Sequence, residues 1–134
     1  MRTSFIAALT GLAGLALVST AMAAPKAKPA KPGLAVAQIA HGRTVFQRQC
    51  APCHGKGPGD DGPKYLPGTN ALQAKYKGEL PPELELRRDL NADVIRSFVR
   101  NGSGAMPMFR KAELGDADID AIAAYIADSS RKAK

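Results

Sequence analysis

Tryptophan is absent from this 134-residue chain, and all aromatic residues together make up only 5% of it. A small domain of this length is therefore short of the rings that usually fill an interior. Cysteine and histidine occur only twice each. Acidic side chains are outnumbered, 12 Asp and Glu against 19 Lys and Arg, for a formal net charge of +7. That basic charge is spread out: no polybasic run carries interleaved aromatics, which excludes a nucleic-acid reading. It suits the steering of an acidic protein partner and, equally, a merely soluble basic surface. No convincing strand alternation and no internal repeat are visible, so the expected fold class is all-α. Nor is any apolar run long enough to span a bilayer comfortably.

What is present divides the chain into four parts. Arg2, the apolar stretch Phe5 to Val18 and the small-residue site Ala21-Met22-Ala23 form a secretory signal over residues 1–23, cut before Ala24. Residues 24–33 are a Pro/Lys/Ala-rich linker, extended and solvated because prolines recur every three or four positions. Residues 34–130 form one domain, and residues 131–134 a frayed basic tail.

Within the domain the periodicity predicts a helix from about Ala35 to Gln49, with Val36, Ile39, Gly42, Val45 and Phe46 on one side. Gly42 is costly there unless another helix approaches closely. His41 reads as an exposed polar residue of that helix. Gly and Pro then break the pattern from Gly55 to Pro63. A short helix is possible over Thr69–Tyr76, Pro81-Pro82 interrupts, and Glu83 to Arg88 is ambiguous. Asn91 caps a helix running to Asn101, with Val94, Ile95, Phe98 and Val99 as its apolar stripe and Gly102 as its stop. Asp116 is expected to cap the last helix, where Ile119, Ile122, Ala123 and Ile126 repeat at three and four.

The chemistry concentrates in Cys50-Ala51-Pro52-Cys53-His54. Cys-x-x-Cys-His is the attachment signature of c-type haem: two thiols on one side of a helical turn, then an imidazole able to reach iron. The same pentapeptide alone leaves open a redox dithiol, half a zinc site or a structural disulfide. An exported chain favours bonded sulfur, as disulfide or thioether. A βαβ pattern, which a thioredoxin-like site expects, is not visible. Structural zinc needs two further ligands, and His41 with His54 make an awkward set.

Three separated features converge: this motif at the end of the first helix, Met106 in the loop Gly104-Ala105-Met106-Pro107-Met108-Phe109, and the last helix with Ile122 and Tyr125. Together they resemble the class I, monohaem c-type cytochromes, from about Gly33 to Asp128. The resemblance implies a small domain whose N- and C-terminal helices cross around one covalently bound haem c. It implies thioether bonds at Cys50 and Cys53, His54 as proximal ligand and Met106 as distal ligand, with Met108 the other thioether in reach. It implies that the Pro63 carbonyl accepts a hydrogen bond from the His54 imidazole, and that Gly42 and Phe46 pack where Ile122 and Tyr125 cross. A haem would also supply the interior that aromatic residues do not, in an apolar slot between His54 and Met106. Residues 64–90 are longer and more polar than in the smallest members, and Tyr65, Tyr76, Arg87 and Arg88 are candidate propionate partners. The expected function is an exported, periplasmic electron carrier and not an enzyme, serving a dehydrogenase donor and an oxidase or other cytochrome acceptor. The alternative is a dedicated cytochrome subunit of a periplasmic dehydrogenase. No nucleic acid and no stable membrane span are expected. Lys56, Lys64, Lys75, Lys77, Arg110 and Lys111 are candidates to ring an exposed haem edge.

Overall fold

The first helix, α1 (Pro32–Gln49), begins three residues before the sequence pattern suggests. Proline is tolerated in a first helical turn, where its missing N–H has no partner to lose. The computed structural model describes residues 32–58, 62 and 64–133; the expected signal, most of the linker, and Pro63 lie outside the described residues. After α1 the chain makes a short helix, α2 (Ala51–His54), then α3 (Pro67–Tyr76), a 3-10 turn at Leu84–Leu86, α4 (Ala92–Asn101) and α5 (Asp116–Lys132). Among the described residues the only β pairing is an isolated bridge between Ser103 and Met106. The fold is all-α, as the sequence implies.

Among the described residues, helices α1 and α5 form the most extensive contact between elements. A Cβ placed on Gly42 would run into the backbone carbonyl of Ala121 and meet the Ile122 nitrogen at 3.0 Å. Only glycine allows two helix backbones this near one another. Around the contact, Val45 and Phe46 of α1 pack with Ile119, Ile122, Tyr125 and Ile126 of α5 into one buried cluster, joined by Ile95 and Val99 of α4 and by Leu114. Phe46 and Tyr125 meet as tilted rings, 5.4 Å between centroids. Val36, expected on this stripe, is instead 68% exposed. It lines a cavity between the start of α1 and the end of α5.

The other helix ends are set by local chemistry. Asn91 caps α4 as expected, its side chain accepting from the Val94 N–H at 2.9 Å. Gly102 ends that helix with φ +70° and returns its N–H to the Phe98 carbonyl. At α5 the cap is Gly115, not Asp116; the Asp118 carboxylate reaches back to the Gly115 N–H at 3.0 Å. Asp116 thereby falls inside the first turn, where its charge still favours the helix N-terminus. The basic end of the chain is helical through Lys132, which pairs with Asp128 one turn earlier at 2.6 Å.

Candidate functional site

The Cys-x-x-Cys-His motif follows α1 without a break. The Cys50 N–H closes onto Phe46, and the Cys53 and His54 N–H groups both return to the Cys50 carbonyl, at 3.1 and 2.8 Å. One helical turn thus carries both sulfurs and the imidazole. Both thiols are free. Cys50 packs against the central cluster while Cys53 is exposed. Burial, and secondarily the neighbouring Cys53, push the Cys50 thiol up to about 11. Among the described residues no three His, Cys, Asp or Glu side chains converge as a zinc site requires.

His54 is set by α3. A Cβ on Gly68 would meet His54 Cε1 at 2.7 Å and Nδ1 at 2.9 Å, so the ring lies directly against the first turn of that helix. Thr69, fully buried beside it, faces the Gly55 carbonyl at 3.5 Å. Burial lowers the His54 pKa, which keeps the imidazole neutral and its lone pair available. Nδ1 is buried and has no partner among the described residues. An orphaned ring nitrogen is costly, and it marks a histidine whose polar groups have work beyond packing. The helix starts two residues before the expected Thr69, which brings Gly68 to the imidazole; Leu66-Pro67 followed by Gly68 is the signal for it in the sequence, since proline suits a helix start.

Met106 lies in the loop between α4 and α5. Its loop is tied at the near end by reciprocal bonds between Ser103 and Met106, 3.1 and 3.0 Å. A Cβ on Gly102 would meet the Met106 carbonyl at 2.8 Å, so the turn requires glycine there. Met106 and Phe109 are half-buried and pack on the same cluster as Cys50. Met108 points away and is 63% exposed. The structure therefore separates two methionines that sequence proximity does not. The described cavities lie elsewhere. One is bounded by Arg87, Arg88, Leu90 and α5, the other by α1, α5, Glu85 and Leu86. Neither is lined by His54 or Met106, both of which are half-exposed.

The segment between α3 and α4 is built on one cation. Arg87, only 4% exposed, forks onto Asp89 through two bonds and lies over the Tyr76 ring at 4.6 Å. The Asp89 bond holds that guanidinium pKa up, and the same contact holds the Asp89 carboxyl down. Of the suggested propionate partners, Arg87 is thus already committed, whereas Arg88 is exposed and reaches the Ser130 carbonyl at 3.5 Å. Glu85 of the 3-10 turn accepts a hydrogen bond from the Tyr125 hydroxyl, fastening this segment to the α1–α5 crossing. The basic residues suggested for a docking ring are all exposed. Arg110 and Lys111 are partly neutralised by Glu113 and Asp116, while Lys75 lies near Tyr76 and Phe98.

The donor set fits the group that the motif implies: a half-buried thiol, an exposed one, a neutral imidazole whose Nδ1 has no partner among the described residues, and a thioether on the same core. The family described as cytochrome C oxidase, cbb3-type, subunit III matches residues 37–126. The chain is similar to the cytochrome c6 of Leptolyngbya boryana, 37% identical over 97 residues that cover 72% of this chain and 98% of that protein. It is 36% identical to the cytochrome c6 of Picosynechococcus over 98 residues, 73% of this chain and 79% of that one. Against the cytochrome c6 of a Synechocystis species the identity is 31% over 96 residues, 72% and 69% of the two chains.

Proposed function

This chain belongs to the monohaem c-type cytochromes, among the relatives of cytochrome c6 and of the cbb3 oxidase subunit III domain, and from that premise we propose which residues hold its haem and where it works. It is an electron carrier with one covalent haem c and not an enzyme. Cys50 and Cys53 provide the thioether links, His54 the proximal ligand and Met106 the distal one. The Pro63 carbonyl receives the His54 Nδ1–H and fixes the ring. The observation that supports the ligand set best is that Cys50 and Met106 pack on one buried cluster while Met108 faces solvent.

The haem supplies a ferrous–ferric couple for single electrons. The protein's part is to hold the group rigidly and to tune it. The α2 turn and Gly68 fix the imidazole; the closed loop at Ser103–Met106 presents a neutral thioether, which favours ferrous iron more than a second imidazole does. With His54 and Met106 both holding the iron, the group would be kept for carrying electrons and not for binding a further small ligand. Residues 1–23 direct export, and the carrier serves periplasmic redox proteins, taking electrons from a dehydrogenase and passing them to an oxidase or another cytochrome. Among the described residues no helix is long and apolar enough to cross a membrane.

The test is an optical spectrum and redox titration of the protein matured with a haem-attachment system. Expected are c-type bands that survive acid-acetone extraction and a methionine–iron charge-transfer band in the ferric form. A high-spin ferric spectrum at neutral pH overturns the ligand set. A mature N-terminus at Ala24 by mass spectrometry checks export. A second reading, a dedicated subunit of a periplasmic dehydrogenase complex, draws on the anchored segment between α3 and α4. It requires co-purification with that enzyme; a monodisperse monomer serving several donors counts against it.

A further inference from the structure

The Met106 loop has a second fastening, at its far end, made by Arg100 of α4. One guanidinium nitrogen, Nη1, donates to the Phe109 carbonyl at 2.9 Å, and Nη2 donates to the Asp116 carboxylate at 2.7 Å. The Phe109 N–H donates to the Val99 carbonyl at 2.8 Å. A single residue, Phe109, three beyond Met106, is therefore held through its N–H by Val99 and through its carbonyl by Arg100. The remaining Arg100 nitrogen, Nε, is buried without a partner among the described residues. A cation accepts such desolvation only for contacts of comparable worth.

Between these anchors only Met106 packs on the core. Ser103, Gly104, Ala105, Pro107 and Met108 are all exposed. Polar fastenings at its two ends must then confine it. Arg96, one turn earlier on α4, is a natural contrast. It faces Asp93, Asp120 and, at 3.9 Å, the same Asp116, yet among the described residues it bonds to none in the loop.

We propose that Arg100 is a positioning residue for the methionine ligand: by clamping Phe109 to α4 and to the start of α5 it keeps the Met106 thioether on the iron for as long as the domain stays folded. This rests on the reading of Met106 as distal ligand. A thioether is a neutral ligand, weakly held by ferric iron, so its retention depends on how little freedom the loop has to swing away. A planar fork spans the Phe109 carbonyl and the Asp116 carboxylate together; a lysine ammonium at this site reaches one or the other.

The experiment compares the wild-type holoprotein with R100Q, R100K and R96Q. In each, the methionine–iron charge-transfer band and the far-ultraviolet helix signal are followed with temperature, and the midpoint potential is measured. In the wild type and in R96Q both signals are expected to disappear together. In R100Q the band disappears at a lower temperature than the helices and the potential falls; R100K shows the same separation to a smaller degree. Coincident loss in R100Q overturns the clamp, as does an R96Q effect of equal size, which would make the cause general charge. Where R100Q does not mature, R100K decides alone, and wild-type behaviour in it overturns the proposal. A wild-type ferric protein without the band overturns the Met106 reading and the clamp with it; a wild type with the band and an unaltered R100Q overturns the clamp only.

Discussion

Met106 and Met108 are two residues apart and chemically identical, yet one packs on the core and the other on water. Replacing Met106 by Ala is expected to abolish the methionine–iron band and lower the potential, whereas Met108→Ala leaves both unchanged; spectra and redox titration of the two proteins check this. Gly42 offers a second residue-scale test. A valine there must displace the Ala121 backbone, which is not a flexible side-chain end that can move aside. Overpacking in cores costs about 1–3 kcal/mol, and a backbone contact belongs at or above the top of that range. Urea unfolding of G42V should show the loss. Gly68 is less forgiving of function than of stability: a methyl placed against His54 Nδ1 and Cε1 tilts the ring. G68A should therefore mature with a shifted potential, measured by the same titration.

At the scale of elements, the helices were legible where a cap or a stripe was strong. Asn91 with the Ile95–Val99 stripe announced α4, and Asn91→Ala should cost about 1 kcal/mol in thermal or urea unfolding. The boundaries that sequence missed were those made by proline and glycine. Pro32 and Pro67 start helices, and Gly115 takes the cap that Asp116 seemed to own. Its reason is that Asp118 supplies the return bond, so the carboxylate one turn in matters more than the one next door. Asp118 also joins α5 to α1 through His41 Nε2 at 2.7 Å. The His41 bond and then the Gly115 N–H hold its carboxyl below the ordinary value. A depressed carboxylate contributes stability above its unfolded pKa and loses it as pH falls through the folded one. The stability gap between wild type and D118N should therefore be full near neutrality and close in acid, as urea midpoints across a pH series would show.

For the whole molecule the same sign recurs. Asp89, Glu113, Asp116 and Asp128 are also held down, each first by a hydrogen bond from a basic side chain. Acid should destabilise the domain by protonating these partners and by adding to a charge that is already +7. The same excess charge predicts that electron exchange with an acidic partner slows as ionic strength rises, since screening shortens the reach of the field. Stopped-flow rates against salt are the measurement; a rate indifferent to salt would assign the basic surface to solubility alone.

The chain by itself determined the covalent chemistry and the class of fold. Cys50, Cys53 and His54 are spaced by one helical turn, and such local geometry is carried by consecutive residues. Gly42 also announced its own purpose, because a costly glycine in a helix needs a neighbour. Tertiary structure alone decided which methionine faces the core, where α5 begins, why Gly68 must be small, how Arg87 came to be buried on Asp89 and Tyr76, and that Arg100 reaches the Met106 loop. Each of those depends on side chains brought together from distant stretches, and no local pattern encodes which charge will meet which carbonyl once the helices have packed.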